Sequence, residues 1–309
     1  MAAASIRRPS LLSDRQVREL TGVSSSQFAA LIAEVGPSWE SDREARLSAR
    51  KRERAFGAGR KHELPFAGRL LLTLVYVRWN VTYRMLAATF DTNKDSVNRA
   101  VAELTPLLAA VGITAADGAR VGDVDALEVQ LRALSKSQRA ALIDGSFVPI
   151  PRPGKGGWAA QKAQYSPYRH RHVNTFQTIT DDGGGLLWVG DAQPGATHDL
   201  TAIATSAAAD ALAGSEVTVI ADKAYIGIKA KLGLAKAFTP YRRRKNDARA
   251  AQVRGTEGEF NTEVARQRVH VEHAIRRLKT NKILHGYRRR RDTLTDTIRA
   301  CATLATLPA

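Results

Sequence analysis

The sequence predicts an α/β domain built on a mixed sheet flanked by helices and preceded by an all-α region, and three observations carry that expectation. Before residue 118 the apolar residues repeat at helical spacing. After residue 138 short runs rich in β-branched residues appear, the first three in close succession and the later ones alternating with helical patterns. Strands first and alternation afterwards is the element order of a mixed sheet. Two of the runs also carry an aspartate, which a purely structural strand has little reason to keep.

Residues 1–60 form the first segment. Val17, Leu20, Phe28, Leu31 and Ile32 give it a helical pattern, and it ends in a charged stretch, Ser41 to Arg60, that reads as a solvated helix in preference to a basic arm. Residues 61–118 tighten into three helices. Leu70, Leu71, Leu74, Val75 and Val77 give the first a broad apolar face, Thr82 caps the second, and Asp91-Thr92-Asn93 makes the turn into the third. Val97, Val101, Leu104 and Leu108 face inward on that third helix, leaving Lys94, Asp95, Asn98 and Arg99 outward. Helix, short turn and helix with a polar outer face is a helix-turn-helix pattern, suited to laying its second helix in the major groove. Any three-helix bundle has solvated faces, so the pattern by itself leaves DNA reading open. Residues 119–137 carry no strand signal and read as a connection between domains.

The second domain is expected over residues 138–300. Ala141 to Ile150, Val173 to Thr180 and Leu186 to Asp191, the last after the turn Asp181-Asp-Gly-Gly-Gly185, suggest a meander. Thr197 to Leu212 is expected to be helical, Val217 to Ala221 a strand, Lys229 to Leu234 helical and Ala237 to Tyr241 a short strand. Val264, Val271, Ile275 and Leu278 mark a late helix.

Asp144 stands between Ile143 and Gly145 in the first run, among Leu142, Phe147, Val148 and Ile150. An ionised carboxylate there is costly unless paired, hydrogen-bonded or bound to a cation, so something positive must sit beside it. The run Val217 to Ala221 delivers Asp222 at its carboxyl end, and Glu272 lies next to the apolar stripe of the late helix. Each acid has a bland explanation: an aspartate can cap a strand end or pair with a buried arginine, and Glu272 can bridge to Arg276 or Arg268. Their joint order is the informative feature. Asp199, beside His198 at a helix start where negative charge is favoured anyway, reads as structural or as support for neighbouring groups.

Composition narrows the partners. The 309 residues include 47 Lys plus Arg against 30 Asp plus Glu, a net charge of +17, and the excess is clustered. That points to a polyanion. The loop Lys155 to His172, interleaved with Trp158, Tyr165 and Tyr168, has the composition of a nucleic-acid groove, as do Arg242-Arg243-Arg244-Lys245 and Arg288 to Arg291. Such runs position phosphates and say nothing of sequence preference. Cys301 is the single cysteine, which excludes an internal disulfide and a cysteine-rich zinc site. His170, His172, His270 and His273 form no His-Glu-x-x-His, so solvated or DNA-facing roles are expected for them. No long apolar run and no secretory start occur, and a cytoplasmic, nucleoid-associated protein is expected.

Asp144, Asp222 and Glu272 in this order, with Ile143-Asp-Gly-Ser146, Gly195-Ala-Thr-His198-Asp199-Leu200, Ala221-Asp-Lys-Ala-Tyr225 and Arg268-Val-His-Val-Glu272 followed by Lys279, resemble the RNase H-like core of DDE transposases. The likeness is to bacterial insertion-sequence transposases of the Harbinger-related group and spans about residues 64–300, the helix-turn-helix included. Ala265 stands where related chains often have tyrosine and Ala224 where they have glycine; neither is a carboxylate position. The resemblance implies that Asp144, Asp222 and Glu272 are catalytic and hold Mg2+ or Mn2+, two ions in all, with Asp144 shared between them. Hard cations want oxygen ligands, and two of them about 4 Å apart suit in-line displacement at a phosphodiester. It further implies binding to terminal inverted repeats and target DNA as a homo-oligomer, cleavage that frees a 3′-hydroxyl, and joining of that hydroxyl to target DNA. Lys94, Asn98, Arg99, Arg242, Arg243, Arg244, Lys245, Arg268 and Lys279 are the expected DNA contacts. An endonuclease without strand transfer, or a repressor with an inactive catalytic domain, are the alternatives.

Overall fold

The computed structural model describes residues 9–49, 64–115, 117–242 and 253–308. The first helices are fixed by their caps: Ser13 and Gln16 form a capping box on α1 (Asp14–Thr21), and Ser24 and Gln27 form another on α2 (Ser25–Ser48). The expected solvated helix thus runs to Ser48, and the rest of that charged stretch lies outside the described residues. Next come α3 (Phe66–Trp79), α4 (Tyr83–Thr89) and α5 (Lys94–Val111). Thr82 accepts from Met85 N at 3.2 Å and Asn93 accepts from Ser96 N at 2.8 Å, so both helices of the expected helix-turn-helix begin on side-chain caps. Val97, Val101, Leu104 and Leu108 are buried, whereas Lys94, Asn98 and Arg99 are exposed.

Glu103 binds this bundle from inside. It accepts from Trp39 Nε1 on α2 at 3.1 Å and pairs with Arg69 on α3 at 2.5 Å and with Arg46 at 2.9 Å.

A small hairpin, β1 (Ile113–Thr114) with β2 (Arg120–Val121), leads to α6 (Val124–Lys136). This helix occupies most of the stretch expected to connect the two domains. Asp123 caps it by accepting from Ala126 N, and Leu127, Leu131 and Leu134 bury one stripe against the chain that follows. Gly118, Gly122 and Asp123, among the residues that suggest a linker, precede the helix, and Asp125 lies in its first turn.

Then follow β3 (Ala140–Pro149), α7 (Gly157–Gln164), β4 (Tyr165–Ser166), β5 (Arg171–Asp181), β6 (Leu186–Val189), β7 (Gln193–Pro194), α8 (Asp199–Ala204), α9 (Ala208–Gly214), β8 (Thr218–Ala221), α10 (Ile228–Leu232), β9 (Lys236–Phe238), α11 (Val253–Lys279) and α12 (Leu294–Ala305). Antiparallel β5 lies on one side of β3, with β4, β6 and β7 along its outer edge; β8 and then β9 lie parallel on the other side. This is the RNase H-like mixed sheet. The expected helix across Thr197 to Leu212 is interrupted, because Thr205 and Ser206 donate their hydroxyls to Thr201 O and Ile203 O and end α8 early.

Alternation along β3 divides the core. Leu142 joins Ile220, Val264 and Val271 beneath α11, while Ala141 and Ile143 join the larger core on the opposite face. That larger core is continuous with the helical bundle. The closing helix α12, which the sequence reading does not anticipate, packs along α5, and Thr303 donates to Leu108 O at 2.9 Å. Arg288 donates to Asn80 O and Oδ1, and Asn80 donates to Gly286 O at 2.8 Å, so the end of α3 is tied to the segment after α11. Arg288, though exposed, is thus engaged with the protein's own Asn80. Among the described residues, no helix is long and apolar enough to cross a membrane.

Candidate active site

The register of two strands creates the site. Ile143 on β3 pairs with Ala221 on β8, so the next residues, Asp144 and Asp222, leave the parallel pair side by side. Partners in register point to the same face, and on β3 the Leu142 and Asp144 positions face α11. Asp222 caps the short turn Lys223–Tyr225, its Oδ1 accepting from Ala224 N at 2.7 Å. A backbone N–H serves there, which is why alanine at 224 suffices.

α11 brings the third acid. Arg268 Nη2 lies 3.3 Å from Asp144 Oδ2 and 3.7 Å from Glu272 Oε1, one turn further along the helix. Arg268 is the positive group that the sequence requires beside Asp144. Its side chain is mostly buried and is engaged with these carboxylates. Asp144 is pushed up to about 6, by burial first; Arg268 and the Gly145 N–H oppose the shift, and the charges of Asp222 and Glu272 add to it. Asp144 and Glu272 thus share one guanidinium, and the charge of Asp222 acts on Asp144. Among the described residues no group of three or more His, Cys, Asp or Glu side chains is arranged to hold a metal ion. The donor set is nonetheless all carboxylate oxygen with an exposed Glu272 at its rim, which fits hard divalent cations that keep several waters.

Arg169 lies 4.3 Å and Lys279 Nζ 4.4 Å from the centroid of Phe147, placing two cations beside β3. Burial, with Arg169 nearby, lowers the pKa of Lys279. Tyr168 and Trp158, from the basic aromatic loop, are 82% and 75% exposed. Lys94, Asn98 and Arg99 are not part of this cluster but occupy the outer face of α5. Arg242 is exposed, and Arg243, Arg244 and Lys245 lie outside the described residues.

One group escapes the sequence reading. Gln177, 1% exposed on β5, donates to Asp199 Oδ1 at 3.0 Å and accepts from the Tyr225 hydroxyl. A glutamine inside the run Thr175-Phe-Gln-Thr-Ile-Thr180 is the available signal, since a buried amide needs partners. Gly195, in the stretch ahead of Asp199, is fixed by close approach: a Cβ there would lie 2.5 Å from Val173 O and 2.7 Å from Gln164 O.

Comparison with known proteins agrees with this architecture. The chain belongs to the DDE superfamily endonuclease family, which it matches over residues 143–306. Residues 62–112 match the helix-turn-helix of DDE superfamily endonuclease. Among curated proteins it is 27% identical over 277 residues to the putative transposase for insertion sequence element IS112 of Streptomyces albus G, covering 89% of this chain and 88% of that one. It is 25% identical over 288 residues to the probable transposase for insertion sequence element IS702 of Microchaete diplosiphon, covering 93% and 91%. A solved Mos1 transposase paired-end complex with left transposon end aligns over 80% of this chain and 88% of that one at 10% identity, with a TM-score of 0.21, too low to speak for a shared fold.

Proposed function

We propose that the chain is the transposase of an insertion sequence, binding the inverted-repeat ends of its element, cutting DNA there and joining the freed 3′-hydroxyl to target DNA. The observation that carries this reading is the adjacency of Asp144 and Asp222 across β3 and β8, with Glu272 reached through Arg268. The names of the two bacterial relatives support the mobile-element role.

Asp144, Asp222 and Glu272 would hold the divalent ions, Mg2+ or Mn2+. Such ions supply Lewis-acid stabilisation to the attacking and leaving oxygens of an in-line displacement at phosphorus. Arg268 keeps the acids compatible at close quarters by offsetting their mutual repulsion. Arg169 and Lys279 offer cationic donors beside β3 for the phosphates flanking the scissile bond. Lys94, Asn98 and Arg99, exposed on α5, would read base edges, and Arg242 to Lys245 would add a sequence-independent phosphate contact. Assembly as a homo-oligomer on DNA follows from the need to bring two element ends together.

The test is incubation of the purified chain with magnesium and labelled element ends beside a target duplex. Nicked and joined products are both expected. Nicking without joining would reduce the reading to an endonuclease, and binding without either to a repressor.

A further inference from the structure

Strand pairing between β3 and β8 reaches Ile143 and Ala221 and stops one residue short of the two aspartates. Asp222 is therefore held by its turn, not by the sheet. That turn closes on Tyr225, whose N–H donates to Asp222 O at 3.1 Å. The Tyr225 side chain is fully buried, and its hydroxyl donates to Gln177 Oε1. Gln177 stands opposite Gly145, the residue after Asp144, and its Nε2 donates to Asp199 Oδ1 at 3.0 Å. Asp199 itself packs against Gly145 so closely that a Cβ there would lie 2.5 Å from Oδ1. The chain of contacts from the Asp222 turn to the strand of Asp144 is thus closed, and it is buried throughout its middle.

We infer that Tyr225, Gln177 and Asp199 form a positioning relay that sets Asp222 against Asp144, with Asp199 acting as a hydrogen-bond acceptor and not as a fourth ligand. The inference rests on the proposed reading of Asp144 and Asp222 as the reacting pair. Side chains alternate along a strand, so the Cβ side of Gly145, where Asp199 lies, is opposite the side to which Asp144 points. An acid on that side orients Gln177. The amide, with one end fixed by Asp199, presents its oxygen to Tyr225 and leaves neither end of a buried polar group unpaired. Gly145 completes the arrangement by leaving room for the carboxylate.

The experiment uses the full chain with Asp199→Ala, Asp199→Asn, Tyr225→Phe, Gly145→Ala and the double variant Gly145→Ala with Asp199→Ala. Folding is followed by circular dichroism, element-end affinity in calcium, turnover in magnesium, and Mn2+ binding by electron paramagnetic resonance. Asp199→Ala and Tyr225→Phe should lower kcat by about 10²-fold, the scale of a misplaced reacting group, with KM for DNA unchanged and Mn2+ held more weakly. Asp199→Asn keeps the acceptor oxygen and should restore most of the turnover. Gly145→Ala should be slow alone, and its combination with Asp199→Ala should cost less than the product of the two losses, because the Cβ then meets no carboxylate. Asp199→Asn as inactive as Asp144→Asn would make Asp199 a ligand and overturn the relay. Unchanged turnover and Mn2+ affinity in Tyr225→Phe and Asp199→Ala would overturn it equally. If the unaltered chain neither cuts nor joins, the functional reading fails, and the Mn2+ affinities of the same variants still decide the relay.

Discussion

Arg268 Nη2 lies 3.3 Å from the Asp144 carboxylate and 3.7 Å from that of Glu272, so one guanidinium serves acids on a strand and on a helix. It does not cancel the cost of burying Asp144, whose carboxyl still rests at about 6. Because the folded value exceeds the unfolded one of 3.8, the native chain binds this proton more tightly, and the site's contribution to stability falls as pH rises from about 4 through 6. Asp144→Asn should therefore stabilise the chain at pH 7 in EDTA, by an amount on the order of 1–3 kcal/mol after the weakened Arg268 pairing is allowed for. Thermal melts at pH 4 and pH 7 check the sign: the gain should vanish at the lower pH. A loss of stability at pH 7 would mean that the ion pair outweighs the burial.

Glu103 shows the opposite balance. Burial pushes its pKa up, but the hydrogen bond from Trp39 and the Arg69 and Arg46 charges more than reverse this and hold it below the ordinary value. With the folded value depressed, its stabilisation is complete above the unfolded carboxylate range near pH ~4.3 and is lost as pH falls through the folded value. Glu103→Gln should cost about 3–5 kcal/mol at neutral pH, since it strands the buried charge of Arg69. Denaturant melts measure this, and the difference from the unaltered chain should shrink in acid.

Reading of the element ends is assigned to α5. Asn98→Ala and Arg99→Ala should each weaken binding to the ends by about 1–3 kcal/mol if they touch base edges, with smaller losses on random DNA. Equal losses on both would remove them from base reading.

The arginine runs should separate by the same kind of measurement. Neutralising Arg242, Arg243, Arg244 and Lys245 together should flatten the dependence of log affinity on log salt, since each phosphate contact contributes about 0.9 to the slope. Arg288→Ala should instead lower the melting temperature, because Arg288 is bonded to Asn80 at the end of α3. An unchanged slope in the first variant would make that run a solvated face.

Periodicity and caps made much of this molecule legible. Val97, Val101, Leu104 and Leu108 foretold the buried stripe of α5, and an aspartate amid Leu142, Ile143 and Phe147 foretold a buried cation, which is Arg268. What was not legible depends on distant contacts. α6 hides behind the Gly and Asp residues that precede it, and its Leu127, Leu131 and Leu134 acquire meaning only from the surface they cover. α12 is recognisable by its packing on α5, a pairing of the two ends of the fold that no local pattern encodes. Arg268 fits the Arg-Glu-Lys spacing of the late helix, and its pairing with Asp144 depends on the packing of α11 over β3, which no local pattern encodes.

The carboxylates themselves admit the sharpest test. Asp144 and Asp222 leave neighbouring strands together, and Glu272 comes from a helix packed over the same face. Asp144→Asn, Asp222→Asn and Glu272→Gln keep the shape of each side chain while removing the charge that would hold a divalent ion. Each should abolish nicking and joining yet leave end binding nearly intact, since α5 lies apart from the cluster. Glu263→Gln is the control on the same helix: it is exposed, pairs with Arg266 at 3.2 Å and accepts from Gln267 at 3.0 Å, and touches none of the three acids. Loss of such exposed contacts is worth about 0–1 kcal/mol, so this variant should cut at close to the normal rate. Calcium in place of magnesium should support binding with little or no cutting, because its larger and looser coordination suits the displacement poorly. If Glu272→Gln joined ends at a near-normal rate, Glu272 would be no more than the partner of Arg268, and the third acid would have to be sought elsewhere.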